Sequence, residues 1–217
     1  MTILEMTCEE NINRMERAVK NAFASTRCWH GRPNLPTPFV LRLHGILHLI
    51  LTQLRSQEPQ MDQARRRGLI AKYSDGYRAV AEALQRLGQD RLDARSAPSE
   101  WSAREIVHHL ADAEMTGAIR LRRLLAEEQP EIIAYNEEEY ARRLHYDRPI
   151  EASLEAFGAA RRSTTALLER LADEDWRREG THSETGRYTA ETWLEVYAGH
   201  AHDHAAQILK TGGTIDA

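Results

Sequence analysis

The stretch ETWLEVYAGHAHDHAAQILK, residues 191–210, decides how the rest of the chain is read. As a helix advancing about 100° per residue it stacks His200 and His204 one turn apart, about 40° from each other around the axis. Trp193, Tyr197, Ala201 and Ile208 fall on that same side, and His202 falls on the opposite one. Both imidazoles therefore point toward a core, where a polar ring must hydrogen-bond or ligate something. Two readings stay open at this point: a histidine pair hydrogen-bonded inside a bundle, or two ligands of one cation.

Working back from this helix, the connection DEDWRREGTHSETGRY (173–188) carries Gly180 and Gly186 and leads to Thr189 as the helix cap. Before it, Pro149 is placed to open a helix reaching about residue 172, with Leu154, Phe157, Arg161, Thr164, Leu168 and Leu171 on one face. Its inward Arg161 and Thr164 predict a core that is not wholly dry. The segment from Pro130 to Asp147 is polar and long for a bundle connection, with a short helix expected at 136–144, and it is placed to roof a site. Ser102 and Glu105 have the spacing of a capping box and start a helix over 102–127. Ile106, Leu110, Ala113, Gly117, Leu121 and Leu124 form its apolar stripe. His109 lies on the shoulder of that stripe, and His108 nearly opposite its centre. One further helix begins after Met61, marked by Ile70, Tyr73, Tyr77, Val80, Leu84 and Leu87 and stopped by Gly88.

Four such helices without a strand pattern predict an all-α four-helix bundle, whose metal sites are built from inward side chains on facing helices. His109, His200 and His204 would supply three imidazoles. Such a set suits zinc, nickel or iron and leaves a position open for water or substrate. His44 and His48 repeat the four-residue spacing, but in an apolar run with no acidic neighbour, which favours packing.

The segments WSAREIVHHLADAE (101–114) and YAGHAHDHAAQI (197–208) resemble the paired signatures of the DinB-like superfamily. PEIIAYNEEEY (130–140) and THSETG (181–186) are similar to loops of its bacillithiol-transferase and metal-dependent hydrolase branch. The resemblance covers roughly residues 69–210. It implies an up-down-down-up bundle, often a homodimer, with a divalent metal held by His109, His200 and His204. It also implies an enzyme that activates a small thiol for S-transfer to an electrophile, or water for hydrolysis. The alternative is a non-enzymatic, metal-binding stress-response module. Asp112 and Asp203 could orient ligand rings, and solvation accounts for each equally well. His182 could approach the metal and Tyr135 and Tyr140 could line a pocket, but a surface position and packing are the plainer readings of these.

Composition narrows the classes. A net charge of −4 and a pI near 6.2 argue against a nucleic-acid partner. Two cysteines, Cys8 and Cys28, are too few for a disulfide framework. The start is acidic rather than secretory, and the apolar run FVLRLHGILHLIL (39–51) is shorter than the roughly 20 residues a membrane span needs. A cytoplasmic protein with no membrane association is expected. Residues 1–60 hold both cysteines and a proline cluster and differ in character from the remainder of the chain. They are expected to be an extension outside the functional domain, 61–217, either disordered or a start-site artefact, since Met61 could itself initiate translation.

Overall fold

Asp62 caps the first helix of the structure, a computed structural model that describes residues 61–212. The pair His44 and His48, both cysteines and the expected extension lie outside these residues. The helices are α1 (Gln63–Leu87), α2 (Ala103–Ala126), the short α3 (Glu137–Arg143), α4 (Glu151–Leu168) and α5 (Ala190–Thr211). Their ends obey local chemistry. Ser102 and Glu105 form a reciprocal capping box on α2, and the hydroxyl of Thr189 accepts from the Thr192 N–H at the start of α5. Gly88 ends α1 at φ 87°, a left-handed backbone that a side chain would resist. The third long helix starts two positions later than Pro149 suggests, at Glu151 with Ile150 as its N-cap.

Contacts between named residues give the direction of each long helix. Arg65 meets Glu195 and the Lys72 carbonyl meets His202, so α1 and α5 run parallel. His108 meets Ser153 and Arg122 meets Thr164, so α2 and α4 also run parallel. Across these pairs the sense reverses: His109 meets His200 while Trp193 bonds the Gly117 carbonyl, and Tyr73 meets Arg161 while Tyr77 packs on Phe157. The result is an up-down-down-up four-helix bundle in which α1 and α2 lie diagonally, each flanked by α4 and α5.

Two apolar layers fill the bundle. One contains Val80, Leu84, Leu87, Ile106, Leu110, Phe157 and Ile208; the other contains Leu121, Leu124, Leu168, Trp176, Trp193 and Leu194. Between them lies a polar layer of Glu114 and Arg161, each 1% exposed, with His200 at the same level of α5. The inward Arg161 and Thr164 thus make the interior as imperfectly dry as their spacing predicts.

The connections hold more order than the sequence indicates. Glu131–Ile132 (β1), Glu179–His182 (β2) and Gly186–Thr189 (β3) form a small sheet, β1 parallel to β2 and β2 antiparallel to β3. Strands of two to four residues are too short to display an alternating pattern. The sheet ties the 130–147 connection to the 173–188 connection, and both flank the same end of the α2–α5 pair.

Candidate metal centre

His109 sits about two turns into α2, and the antiparallel crossing with α5 brings it opposite His200 and His204. The His200 Nε2 lies 3.2 Å from the Nε2 of His109 and 3.2 Å from the Nε2 of His204. The three rings stand edge to face, with centroids 4.7 to 5.2 Å apart, and one ligand atom from each lies within 4.8 Å of the others. Among the described residues this is the one such cluster of potential metal ligands.

Mutual hydrogen bonding does not satisfy this arrangement. An imidazole nitrogen has one in-plane site, either a lone pair or an N–H, so His200 Nε2 cannot form a proper bond to two other nitrogens. A cation among them can satisfy all three. Tetrahedral zinc with Zn–N bonds of ~2.0–2.1 Å separates its ligand nitrogens by about 3.3 Å, close to the two distances found. The donor set and its spacing therefore fit a divalent metal.

The surroundings keep the rings neutral, the form a metal requires. Burial is the main cause for each of them. His109 and His200 are pushed down to about 3, with the neighbouring histidines adding to the effect and Arg161 contributing at His200. His204 is also lowered, against the opposing pull of Gln207 and Asp203. Its Nδ1 lies 2.8 Å from Gln207 Oε1, so an N–H there donates to the amide and leaves Nε2 free to ligate. Trp101 packs on the ring of His109 at 4.7 Å.

These shifts have a pH consequence for the metal-free protein. Below the ordinary histidine value the unfolded chain takes up protons that folded His109 and His200 refuse, so the fold loses stability as pH falls from about 6.5 toward 3. Urea unfolding of chelator-treated protein should show the decline between pH 7 and pH 5, with a shallower slope in His200→Leu. Equal slopes would show that His200 does not contribute.

The other sequence candidates divide clearly. His108 is not on an outward face: it is fully buried, with Nδ1 2.8 Å from Ser153 Oγ and Nε2 3.0 Å from the Arg148 carbonyl, where it joins α2 to the start of α4. His202 bonds the Lys72 carbonyl, away from the cluster. His182, at the end of β2, packs against Tyr188 with ring centroids 5.4 Å apart. Asp112 orients no ligand ring; it accepts the Tyr146 hydroxyl at 2.7 Å. Asp203 is exposed, and the amide of Gln207 takes the position beside His204 instead. Tyr135 and Tyr140 pack on each other, ring centroids 4.5 Å apart and planes inclined by 45°. Arg66 is buried at the start of α1, paired with Glu191 and Asp173 and lying over Trp176.

Sequence reasoning missed Gln207 and, in the polar layer behind His200, the partners Glu114 and Tyr73 of the inward Arg161. Gln207 lies three residues beyond His204, a spacing that places both on one face and was available as a signal. In the polar layer the Tyr73 hydroxyl donates to Glu114, which pairs with Arg161 at 3.4 Å. Arg161 also donates to the carbonyls of Tyr73 and Tyr197, at 2.9 and 2.8 Å. Burial pushes the Glu114 carboxyl up against the pull of Arg161. Gly76 makes room for the guanidinium: a Cβ there would meet Arg161 Nη1 at 2.8 Å and Ala201 Cβ at 2.7 Å.

A four-helix bundle of this topology, with three imidazoles converging between two of its helices, has the architecture of a metal-site bundle. A family model described as the DinB superfamily matches residues 72–208, and the chain belongs to that superfamily. It is 33% identical over 139 residues to a protein of Oceanobacillus iheyensis named "putative metal-dependent hydrolase", spanning 64% of this chain and 81% of that one. A Bacillus cereus protein of the same name is 30% identical over 139 residues, 64% of this chain and 80% of the relative. Among solved structures, YfiT from Bacillus subtilis aligns with a TM-score of 0.65 at 27% identity, covering 71% of this chain and 90% of that one. It is described as "a probable metal-dependent hydrolase with an unusual four-helix bundle topology".

Proposed function

We propose that the protein is a metal-dependent hydrolase of a small molecule, with one divalent cation held by His109, His200 and His204. The observation that carries this reading is the convergence of two imidazole nitrogens on His200 Nε2 at 3.2 Å. Three neutral nitrogen donors suit zinc, nickel or iron. Such an ion, when bound, supplies Lewis acidity that lowers the pKa of water or a thiol. The chain's own contribution is positional. Gln207 fixes the tautomer of His204, Trp101 confines the ring of His109, and the buried surroundings keep all three rings unprotonated near neutral pH.

Water is the favoured nucleophile because the named relatives are hydrolases. S-transfer of a low-molecular-weight thiol to an electrophile is the second reading, supported by the resemblance of residues 130–140 and 181–186 to loops of the branch that holds bacillithiol transferases as well as metal-dependent hydrolases. The functional domain is taken as 61–217; the chain divides between residues 60 and 61. A cytoplasmic homodimer completes the proposal. No helix among the described residues is long and apolar enough to cross a membrane. Met115, Ile119 and Val196 leave exposed apolar area on the outer faces of α2 and α5, which supports pairing with a second copy.

The test uses untagged full-length protein. Elemental analysis should find about one divalent ion per chain. Chelated protein reloaded with zinc, nickel or iron should hydrolyse members of a panel of esters, amides and lactones without added thiol. Turnover only of electrophiles with an added thiol would replace hydrolysis by S-transfer. Stoichiometric metal without turnover in either panel would leave a non-enzymatic binding module, and absence of metal would overturn the reading.

A further inference from the structure

Arg120 lies eleven residues beyond His109 on α2, three turns along and only about 20° around the axis, so both lie on the face turned to α5. Its Nη2 donates to the Ile133 carbonyl at 2.6 Å, and its guanidinium lies 5.6 Å over the ring of Tyr135. It stands beside the Tyr197 hydroxyl and close to Tyr188 and His182. Tyr197 precedes His200 by three residues, and the two rings are 6.1 Å apart. One side chain therefore separates the guanidinium from the histidine cluster.

Among the described residues Arg120 has no carboxylate partner. The partly buried Arg122 and Arg148 also lack one, but each of those is bonded to three carbonyl or hydroxyl oxygens, whereas Arg120 has a single hydrogen bond, to the Ile133 carbonyl. Arg66, Arg104 and Arg161 each have a carboxylate within 3.4 Å. Among the described residues no carboxylate lies within 4 Å of Arg120; Glu137 shares its surroundings at longer range. The Ile133 carbonyl orients the planar group but occupies only one of its five donors. An oriented guanidinium with free donors, walled by aromatic rings, suits the two oxygens of a carboxylate.

We propose that Arg120, with Tyr135 and Tyr197, forms a subsite for a substrate carboxylate and so directs the adjoining part of that molecule over His109, His200 and His204. The proposal deepens the hydrolase reading and rests on it for the word substrate. The subsite itself is a binding site of this chain whether or not metal is present. It assigns the substrate class as small carboxylate-bearing compounds, with N-acyl amino acids as a convenient probe.

The experiment compares N-acetylglycine with N-acetylglycinamide, which differ at the carboxylate, by ligand-observed NMR titration of chelated full-length protein. The acid should bind more tightly than the amide by at least about tenfold, the scale of a charge-assisted hydrogen-bond pair. Arg120→Gln should bring the acid to the level of the amide. Tyr197→Phe should weaken the acid more than the amide. Because Arg120 also holds the 133 carbonyl, Arg120→Lys is measured beside it; it keeps the charge and a donor but not the fork, and should recover only part of the preference. Equal binding of acid and amide by the parent protein, or an unchanged preference in Arg120→Gln, would overturn the subsite. Loss of metal in His200→Ala with the acid preference intact would support a subsite independent of the metal. Loss of that preference in His200→Ala but not in Arg120→Gln would refute the subsite and put the carboxylate at the histidines. Failure of the hydrolase panel alone would refute that reading without touching this one.

Discussion

His109→Ala, His200→Ala and His204→Ala should each lose most of the bound metal, while His108→Ala and His202→Ala retain it. The first three remove a nitrogen from a cluster whose remaining two donors cannot hold an ion in place against water. His108 serves as a control for fold damage, because its ring is fully buried and bonded to Ser153 and the Arg148 carbonyl. Removing it leaves those groups unsatisfied and should cost about 1–3 kcal/mol. His108→Ala is thus expected to melt earlier with its metal intact, and the reverse order is expected for the cluster variants. Gln207→Ala should lie between, with metal affinity reduced about 10–100-fold, as for other groups that orient a ligand histidine. Metal content after dialysis and a competition titration with a chromogenic chelator provide the measurements. Equal losses in His202→Ala and His204→Ala would sink the assignment.

The second large effect concerns stability. Arg161→Met leaves the Glu114 carboxylate buried without its cation, and Glu114→Leu leaves the guanidinium likewise; each should cost about 3–5 kcal/mol. A domain of this size shifts by roughly 2–4 °C per kcal/mol, so each variant should melt about 6–20 °C lower. The double variant should be less damaged than the sum, since it removes both charges and the cost of stranding either. Thermal and urea unfolding of the four proteins closes the cycle, and strict additivity would show that the pair is not coupled.

The bundle was legible because its information is local and periodic. Apolar residues at intervals of three and four, the Ser102–Glu105 box, Thr189 and Gly88 mark all four long helices to within a few residues. His109, His200 and His204 were legible for the same reason, since a helical wheel distinguishes them from His202. His108 was misplaced because a wheel measures direction from one apolar stripe, whereas α2 has neighbours on two sides and buries His108 against the start of α4. The sheet was invisible because β1 pairs with a segment about fifty residues away and neither strand exceeds four residues. Arg120 went unremarked because nothing local separates a guanidinium facing a cluster of tyrosines from one facing solvent.

The pairing of β1 with β2 bears on how this scaffold could be re-engineered. Residues 130–146 contribute Tyr135 and Tyr146, and residues 178–189 contribute His182 and Tyr188, while the three clustered histidines stand on the helices alone. Transplanting one connection from a relative would set a foreign strand against a native partner and break the register Glu131 to Thr181 and Ile132 to His182. Moving both together carries the register along. A chimera exchanging the two as a unit is therefore the natural route to a new selectivity on an unaltered α2–α5 frame, with the two connections behaving as a single removable cassette.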